Sequence, residues 1–286
     1  MGNEDYLNFI KIKNNNHSLY EILSINKINE NLYVFGNTSQ TNPKMRIEKY
    51  NLINGFDSKY TVTTTNSYSP SGGRYMLFDT KEYKENQILI VGANSSLASF
   101  NVDTKEITEM FDIGDIINTN CTILEINKKI YLIRSEENYA SILYEIDIEG
   151  KQTTRIAYFE KNYLNAFIHE NKIWINFDDS STYSLFALEN GTQTQGAFPV
   201  IGKCIKINNK IHLFSLNNEY SPEHYVYKNG QWEKKASLTG KVEIQLYTGK
   251  ESDVGFIQTA METETNKATE TFTIITDKLF LEKRRE

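Results

Sequence analysis

The sequence is poor in the residue types that break strands, staple small folds or bind metals. Its 286 residues include four Pro, two Cys and four His. Two cysteines in so long a chain do not form a disulfide framework, so we expect Cys121 and Cys204 to be buried, reduced thiols. The histidines have no zinc-ligand spacing and no Cys beside them. We therefore predict no metal site, and we interpret His212 as a packed core imidazole.

The chain also lacks long apolar runs and an excess of one charge. No run approaches the roughly 20 residues of a membrane-spanning helix, so we predict no membrane span. The net charge is −6 with interspersed signs, which disfavours nucleic acid and other polyanions as partners. No signal peptide is recognisable at the start. The compartment stays open between an extracytoplasmic one, with a signal or lipid anchor removed, and the cytoplasm.

What the chain does contain is a repeated apolar strand. The segment Leu32-Tyr33-Val34-Phe35-Gly36 returns in recognisable form every 38 to 56 residues. This spacing is in the range of propeller blades and not of helical repeats. The aliphatic anchors of the six copies are Leu32, Ile88, Ile130, Ile173, Ile211 and Val254.

Strand signals fill the whole chain. No helical spacing of apolar residues persists for three turns, and 18 Tyr with 15 Phe suit strands. Each repeat shows four strands, A to D, separated by turn residues such as Asn229-Gly230. We predict an all-β fold: one six-bladed β-propeller domain, residues 1–286, of four-stranded antiparallel blades. The approximate units are residues 17–63, 73–111, 120–159, 163–197, 202–238 and 241–283.

Both ends of the chain carry a strand that could close the ring. Leu7 to Ile12 precedes the first unit, and Lys278 to Glu282 follows a short turn in the last one. We predict closure by pairing of the N- and C-terminal strands, with the outermost strand left open. The residues between Thr259 and Thr271 are mostly Thr and Glu, and they predict a long hairpin that projects into solvent.

Repeat five resembles a known motif. Lys210-Ile211-His212-Leu213-Phe214, then Tyr225-Val226-Tyr227, then Trp232 are similar to the Kelch motif, in which an apolar strand is followed by a Tyr and later a Trp. Repeat one resembles it in strand B, but Gly36 is followed by Asn37, so the Kelch glycine doublet is absent. The resemblance implies a Kelch-like propeller that acts as a binding scaffold. Some related propellers carry oxidase or sugar-processing sites.

The longer connections predict where a ligand would bind. In a propeller the D–A and B–C loops share one face, and here they are longer than the A–B turns. Asp178-Asp179 could hold calcium, but adjacent carboxylates are a weak signal. Arg46, Arg74 and Arg134 could bind a carboxylate if they converged. The ligand-binding candidates on this long-loop face are Tyr68, Arg74, Arg134, Tyr139, Tyr163, Asp178, Tyr220, Glu223 and His224.

No enzyme signature accompanies this face. The Gly-x-Ser-x-Gly elbow, the P-loop and the dinucleotide fingerprint are absent, and we assign no catalytic residue and no cofactor. We expect a non-enzymatic binding module for a protein, peptide or glycan, present as a monomer. The alternative is a hydrolase or lyase acting on a saccharide or lactone at the central pocket. The many Lys, Asn and Ile residues are typical of AT-rich bacterial coding.

Overall fold

All regular elements in the described part of the chain are β-strands. The computed structural model describes residues 8–12, 21–29, 31–37, 45–51, 55–61, 77–92, 96–114, 121–136, 139–179, 181–207, 210–215, 223–235, 245–247, 254–261 and 269–276. Within these residues no helix has the length and apolarity needed to cross a membrane. The all-β prediction is confirmed.

The described strands form antiparallel four-stranded sheets, in which neighbours follow chain order except that the first strand of the chain pairs with the last one. The first comprises β1 (Asn8–Ile12), β24 (Thr269–Thr276), β23 (Val254–Met261) and β22 (Gln245–Tyr247). The second comprises β2 (Glu21–Ile28), β3 (Asn31–Asn37), β4 (Met45–Asn51) and β5 (Gly55–Thr61). The third comprises β6 (Leu77–Glu82), β7 (Gln87–Gly92), β8 (Ser96–Asn101) and β9 (Ile107–Asp112).

Three further sheets each consist of four consecutive strands that pair in chain order. One comprises β10 (Cys121–Ile126), β11 (Lys129–Ser135), β12 (Ser141–Asp147) and β13 (Gln152–Phe159). The next comprises β14 (Tyr163–His169), β15 (Lys172–Phe177), β16 (Thr182–Ala187) and β17 (Thr192–Ala197). The last comprises β18 (Gly202–Ile207), β19 (Lys210–Ser215), β20 (His224–Lys228) and β21 (Gln231–Lys234).

The turns explain why neighbouring strands pair in sequence. Asn229 and Gly230 have φ angles of 51° and 79°, the left-handed pair that a type I′ hairpin turn requires. Asn127 and Lys128, with φ of 52° and 65°, make the same kind of turn between β10 and β11. The connections between the first and second strands and between the third and fourth have two to six residues, and the others have three to fifteen. The predicted difference in loop length therefore holds for some sheets and not for others.

The N-terminal strand is not paired with its sequence neighbour. β1 lies beside β24, with Asn8 opposite Thr276 and Ile12 opposite Phe272. The predicted pairing of the two chain ends is therefore present, and β1 is the outermost strand in the described part of this sheet. The competing segment, residues 278–282, lies outside the described residues. β23 and β24 pair as far as Met261 and Thr269, in agreement with a long hairpin.

The chain divides into two compact units, one of residues 18–171 and one of residues 1–17 and 172–286. In the first, apolar residues of successive sheets pack together, for example Phe35 against Phe100 with ring centroids 5.9 Å apart. Cys121 is buried there as a free thiol. The apolar face of one sheet packs against the apolar face of the next, and this contact removes both surfaces from water.

The core of the second unit is aromatic. Trp174 is fully buried and stacks on Tyr183, with centroids 4.0 Å apart and planes 11° from parallel. Tyr227 and Trp232 meet Trp174 edge-on. A Cβ atom at Gly196 would lie 2.2 Å from Cζ of Tyr183, so only glycine lets that ring lie against β17. Cys204 is free and fully buried, and both cysteines are reduced, as predicted.

Candidate functional site

Arg134 is held in a defined orientation at the end of β11. Its Nε donates a hydrogen bond to Glu136 Oε1 at 2.8 Å, and Nη2 donates to the Tyr144 hydroxyl at 3.1 Å. The guanidinium carbon lies 4.9 Å from the centroid of the Tyr144 ring, a cation–π distance. An arginine fixed in this way pays little additional entropy when it binds a ligand.

Tyr139 is presented to solvent a few residues further on. It lies in the connection from β11 to β12, has a φ of 61° and is 75% exposed. The base of the connection is closed by the Glu136 N–H, which donates to the Ala140 carbonyl at 2.8 Å. Left-handed backbone is unusual for an aromatic residue. The loop therefore exposes a large side chain in a constrained conformation, which is how binding surfaces present their anchors.

Tyr163 is in a different environment. It begins β14, is 2% exposed, and its burial raises the pKa of its hydroxyl well above the usual value. Its backbone N–H donates to Ser141 Oγ at 2.8 Å, and that hydroxyl donates to the Lys161 carbonyl at 2.7 Å. Tyr163 therefore packs in the interior and anchors the start of its strand, instead of forming an exposed platform.

The sequence did not reveal a buried polar cluster that is formed by the first strands of three sheets. Asp79 on β6 accepts hydrogen bonds from Ser24 Oγ at 3.3 Å and from the backbone N–H of Ile123 at 2.7 Å. Ser24 Oγ and Thr80 Oγ1 are 2.7 Å apart, and Asn26 donates to Thr80. Asp79 thus connects β2, β6 and β10. The available signal was an Asp within a strand segment, where that residue type is depleted.

The remaining described candidates belong to the second unit. Asp178 is exposed after β15, while the carboxylate of Asp179 accepts hydrogen bonds from the N–H groups of Ser181 and Thr182 at 3.0 and 3.1 Å. Asp179 therefore caps a turn. In the described residues no group of three or more His, Cys, Asp or Glu side chains could hold a metal ion.

Glu223 is tied to its neighbours on the surface. Its carboxylate forms an ion pair with Lys234 and accepts a hydrogen bond from the Tyr225 hydroxyl at 2.8 Å. The hydrogen bond from Lys234 lowers the pKa of Glu223, and the hydrogen bond to Glu223 raises that of Lys234. This carboxylate is ionised and already has partners within its own sheet.

His224 and His212 form a buried pair. The two side chains are on neighbouring strands, and His212 Nδ1 lies 3.0 Å from His224 Nε2. The ring of His224 also stacks on Phe214, with centroids 4.9 Å apart. His212 is 2% exposed and His224 5% exposed. The core role predicted for His212 is confirmed, and His224, a predicted ligand contact, shares that core.

The structure brings only some of the predicted residues together. Arg134 and Tyr139 flank one loop, and Glu223 and His224 are neighbours in the chain. Tyr68, Arg74 and Tyr220 lie outside the described residues. Because Arg74 is one of its three members, the predicted arginine cluster stays a prediction. The described feature that most resembles a binding surface is therefore the Arg134–Tyr139 loop.

Comparison with solved structures identifies similar folds over most of the chain. A luciferin-regenerating enzyme has a TM-score of 0.63 at 7% identity, covering 94% of this chain and 97% of the other. A regucalcin from Agrobacterium tumefaciens, described as a calcium-binding protein, has a TM-score of 0.63 at 9% identity, covering 94% and 96%. A streptogramin B lyase has a TM-score of 0.56 at 9% identity, covering 94% and 97%.

These three similar structures are β-propeller proteins, and the likeness shows a β-propeller type of fold for this chain. At such low identity it shows the fold alone, because one fold hosts many unrelated activities. No family model and no curated protein matches the sequence.

Proposed function

We propose that this protein is a Kelch-like, six-bladed propeller that acts as a non-enzymatic binding module for a protein, peptide or glycan. The observation that carries this proposal is the Arg134–Tyr139 loop. It combines a constrained tyrosine that is 75% exposed with an arginine oriented by Glu136 and Tyr144. Tyr and Arg dominate the energetics of binding surfaces, because each offers a large contact area together with hydrogen bonding.

The test is a screen of the protein against a glycan array and a displayed peptide library, followed by affinity measurements on the strongest binder. Tyr139→Ala should weaken that binder at least about tenfold, equivalent to about 1.4 kcal/mol. The control is Tyr158→Ala, which removes a tyrosine that is 44% exposed on β13. The control should bind normally. Equal affinities of the two variants would show that the loop does not carry the binding.

A second candidate function is a hydrolase or lyase acting on a saccharide or lactone. It is favoured by the comparison, since two of the similar structures are named as an enzyme and as a lyase. Turnover of representative lactones and oligosaccharides by the purified protein would support it. Turnover that persists in Tyr139→Ala would separate catalysis from the proposed loop.

A further inference from the structure

The outer strands of the described sheets differ in how they protect their free edges. An outermost strand leaves every second backbone N–H and C=O unpaired, and proteins block such edges with bulges, charges or short length. In the unit of residues 18–171, β5, β9 and β13 each have a register shift against their neighbour. The extra residues are Asp57, Met110 and Ile156. A bulge twists the strand and interrupts further pairing.

The outer strands of the other unit include two that are short and charged. β21 has four residues, among them Glu233 and Lys234, and β1 has five, among them Lys11. The bulged strands also carry charges, for example Glu109 on β9 and Arg155 on β13. If β9 or β13 met a copy of itself, like charges would approach each other, whereas β21 offers only four residues for pairing.

β17 has none of these protections. Its sequence is Thr-Gln-Thr-Gln-Gly-Ala. Among the described fourth strands of the sheets, β1, β5, β9, β13, β17 and β21, it alone has no charged residue. All six of its residues pair with β16 in an unbroken register. Five of the six are exposed.

The direction of its backbone groups follows from the ladder. The Phe198 N–H donates to the Ser181 carbonyl at 2.9 Å. Along an antiparallel pair, every second residue directs its backbone N–H and C=O toward the partner strand, so on this strand the residues that face β16 are counted in steps of two from Phe198. The N–H and C=O groups of Gln193, Gln195 and Ala197 therefore face away from β16. In the described part of the chain no strand lies beside them.

We propose that β17 is a self-association edge, which pairs antiparallel with β17 of a second copy. A twofold axis makes such an edge complementary to itself. Thr and Gln then lie opposite Thr and Gln, with no like charges in register. About six paired residues bury less than the roughly 1,200 Å² of a standard interface, so the dimer is reversible. This edge argues against the monomer expected from the sequence.

The test uses charge at the edge. In one variant Thr194→Lys and Gln195→Lys are combined, and in another Thr194→Glu and Gln195→Glu. Each should be monomeric alone, with association weakened at least about tenfold relative to the wild type, because like charges then face each other. Mixing the two variants should restore association. Sedimentation velocity over a range of protein concentrations measures all of these equilibria, and thermal melts verify folding.

The matched control places two lysines on a bulged edge, as Gln152→Lys with Thr154→Lys on β13. It should dimerise like the wild type. A wild type that stays monomeric up to near-millimolar concentration would overturn the proposal, even if it bound a Thr/Gln peptide. So would lysine variants of β17 that still dimerise, or a β13 control that weakens association equally.

Discussion

Trp174 shows how much a single side chain contributes to this fold. It is 0% exposed, stacks on Tyr183 and donates its indole N–H to Asn176 Oδ1 at 2.8 Å. It lies on β15, which is a central strand of its sheet. Trp174 stabilises the second unit through contact area, so its loss creates a cavity and leaves the Asn176 amide without this partner.

Truncating Trp174 to Ala should lower the free energy of unfolding by about 3 to 5 kcal/mol. Urea denaturation monitored by far-UV circular dichroism measures the change. Tyr158→Ala, on the exposed outer strand β13, is the matched control and should change stability by less than about 1 kcal/mol. A comparably small loss for Trp174→Ala would contradict the aromatic core described above.

The Glu223–Lys234 pair predicts a pH dependence. The pKa of Glu223 is lowered, so its contribution is present above the unfolded carboxyl pKa and disappears as pH falls through the folded value. The pKa of Lys234 is raised, so its contribution is present below the unfolded ammonium pKa and disappears as pH rises through the folded value. The pair therefore acts between the acid and alkaline extremes.

Glu223→Gln should accordingly be slightly less stable than the wild type near neutral pH and indistinguishable from it in acid. The difference should be small because the pair is exposed. Melting temperatures across the acid range measure it, with Glu189→Gln, which changes an exposed carboxylate of the same unit, as the control. A stability difference that grows as the pH falls would show that the predicted direction of the pH dependence is wrong.

At the scale of elements, Asp79 connects the first strands of three sheets, β2, β6 and β10. Its carboxylate joins β2 to β10 through Ser24 and the Ile123 N–H. A first strand has no neighbour on its inner edge, so its backbone N–H groups need another partner. Asp79 supplies one from the preceding sheet, and this explains why a carboxylate that is 7% exposed is retained within a strand.

Asp79→Ala should cost about 1 to 3 kcal/mol, because buried donors are left without an acceptor. Chemical denaturation measures the loss, and hydrogen exchange should show faster exchange at the Ile123 amide. The control is Asp147→Ala, which removes an exposed carboxylate that accepts from the Gly150 N–H at 2.9 Å. Unchanged exchange at Ile123 would rule out this role of Asp79.

At the scale of the whole molecule, the pairing of β1 with β24 joins segments from opposite ends of the chain. A ring of sheets needs such a join, because an open array would leave free edges and apolar faces in water. Six blades and a closed ring remain our predictions, for which this pairing and the sheet order are the support.

Deleting residues 1–13 should lower the melting temperature cooperatively and reduce hydrogen-exchange protection in residues 269–276, because β24 loses β1, one of its two neighbouring strands. Deleting residues 1–6 alone, which leaves β1 intact, is the control and should change neither. Closure by the N-terminal strand is wrong if the longer deletion behaves like the shorter one.

The sequence by itself determined the features that depend on near neighbours. Period-two apolar patterns and turn pairs such as Asn229-Gly230 specified the strands and their order, because a hairpin is encoded within about a dozen residues. The connection that carries Arg134 and Tyr139 was also recognisable from the local spacing of the strands.

Only the tertiary structure decided which distant groups meet. Asp79 accepts from an N–H 44 residues away, and no local pattern encodes that contact. Burial of Tyr163 and His224 likewise depends on what other strands place around them. The pairing of β1 with β24 likewise joins segments from opposite ends of the chain. Strand propensity does not encode it, because that propensity is the same whichever edge a strand joins.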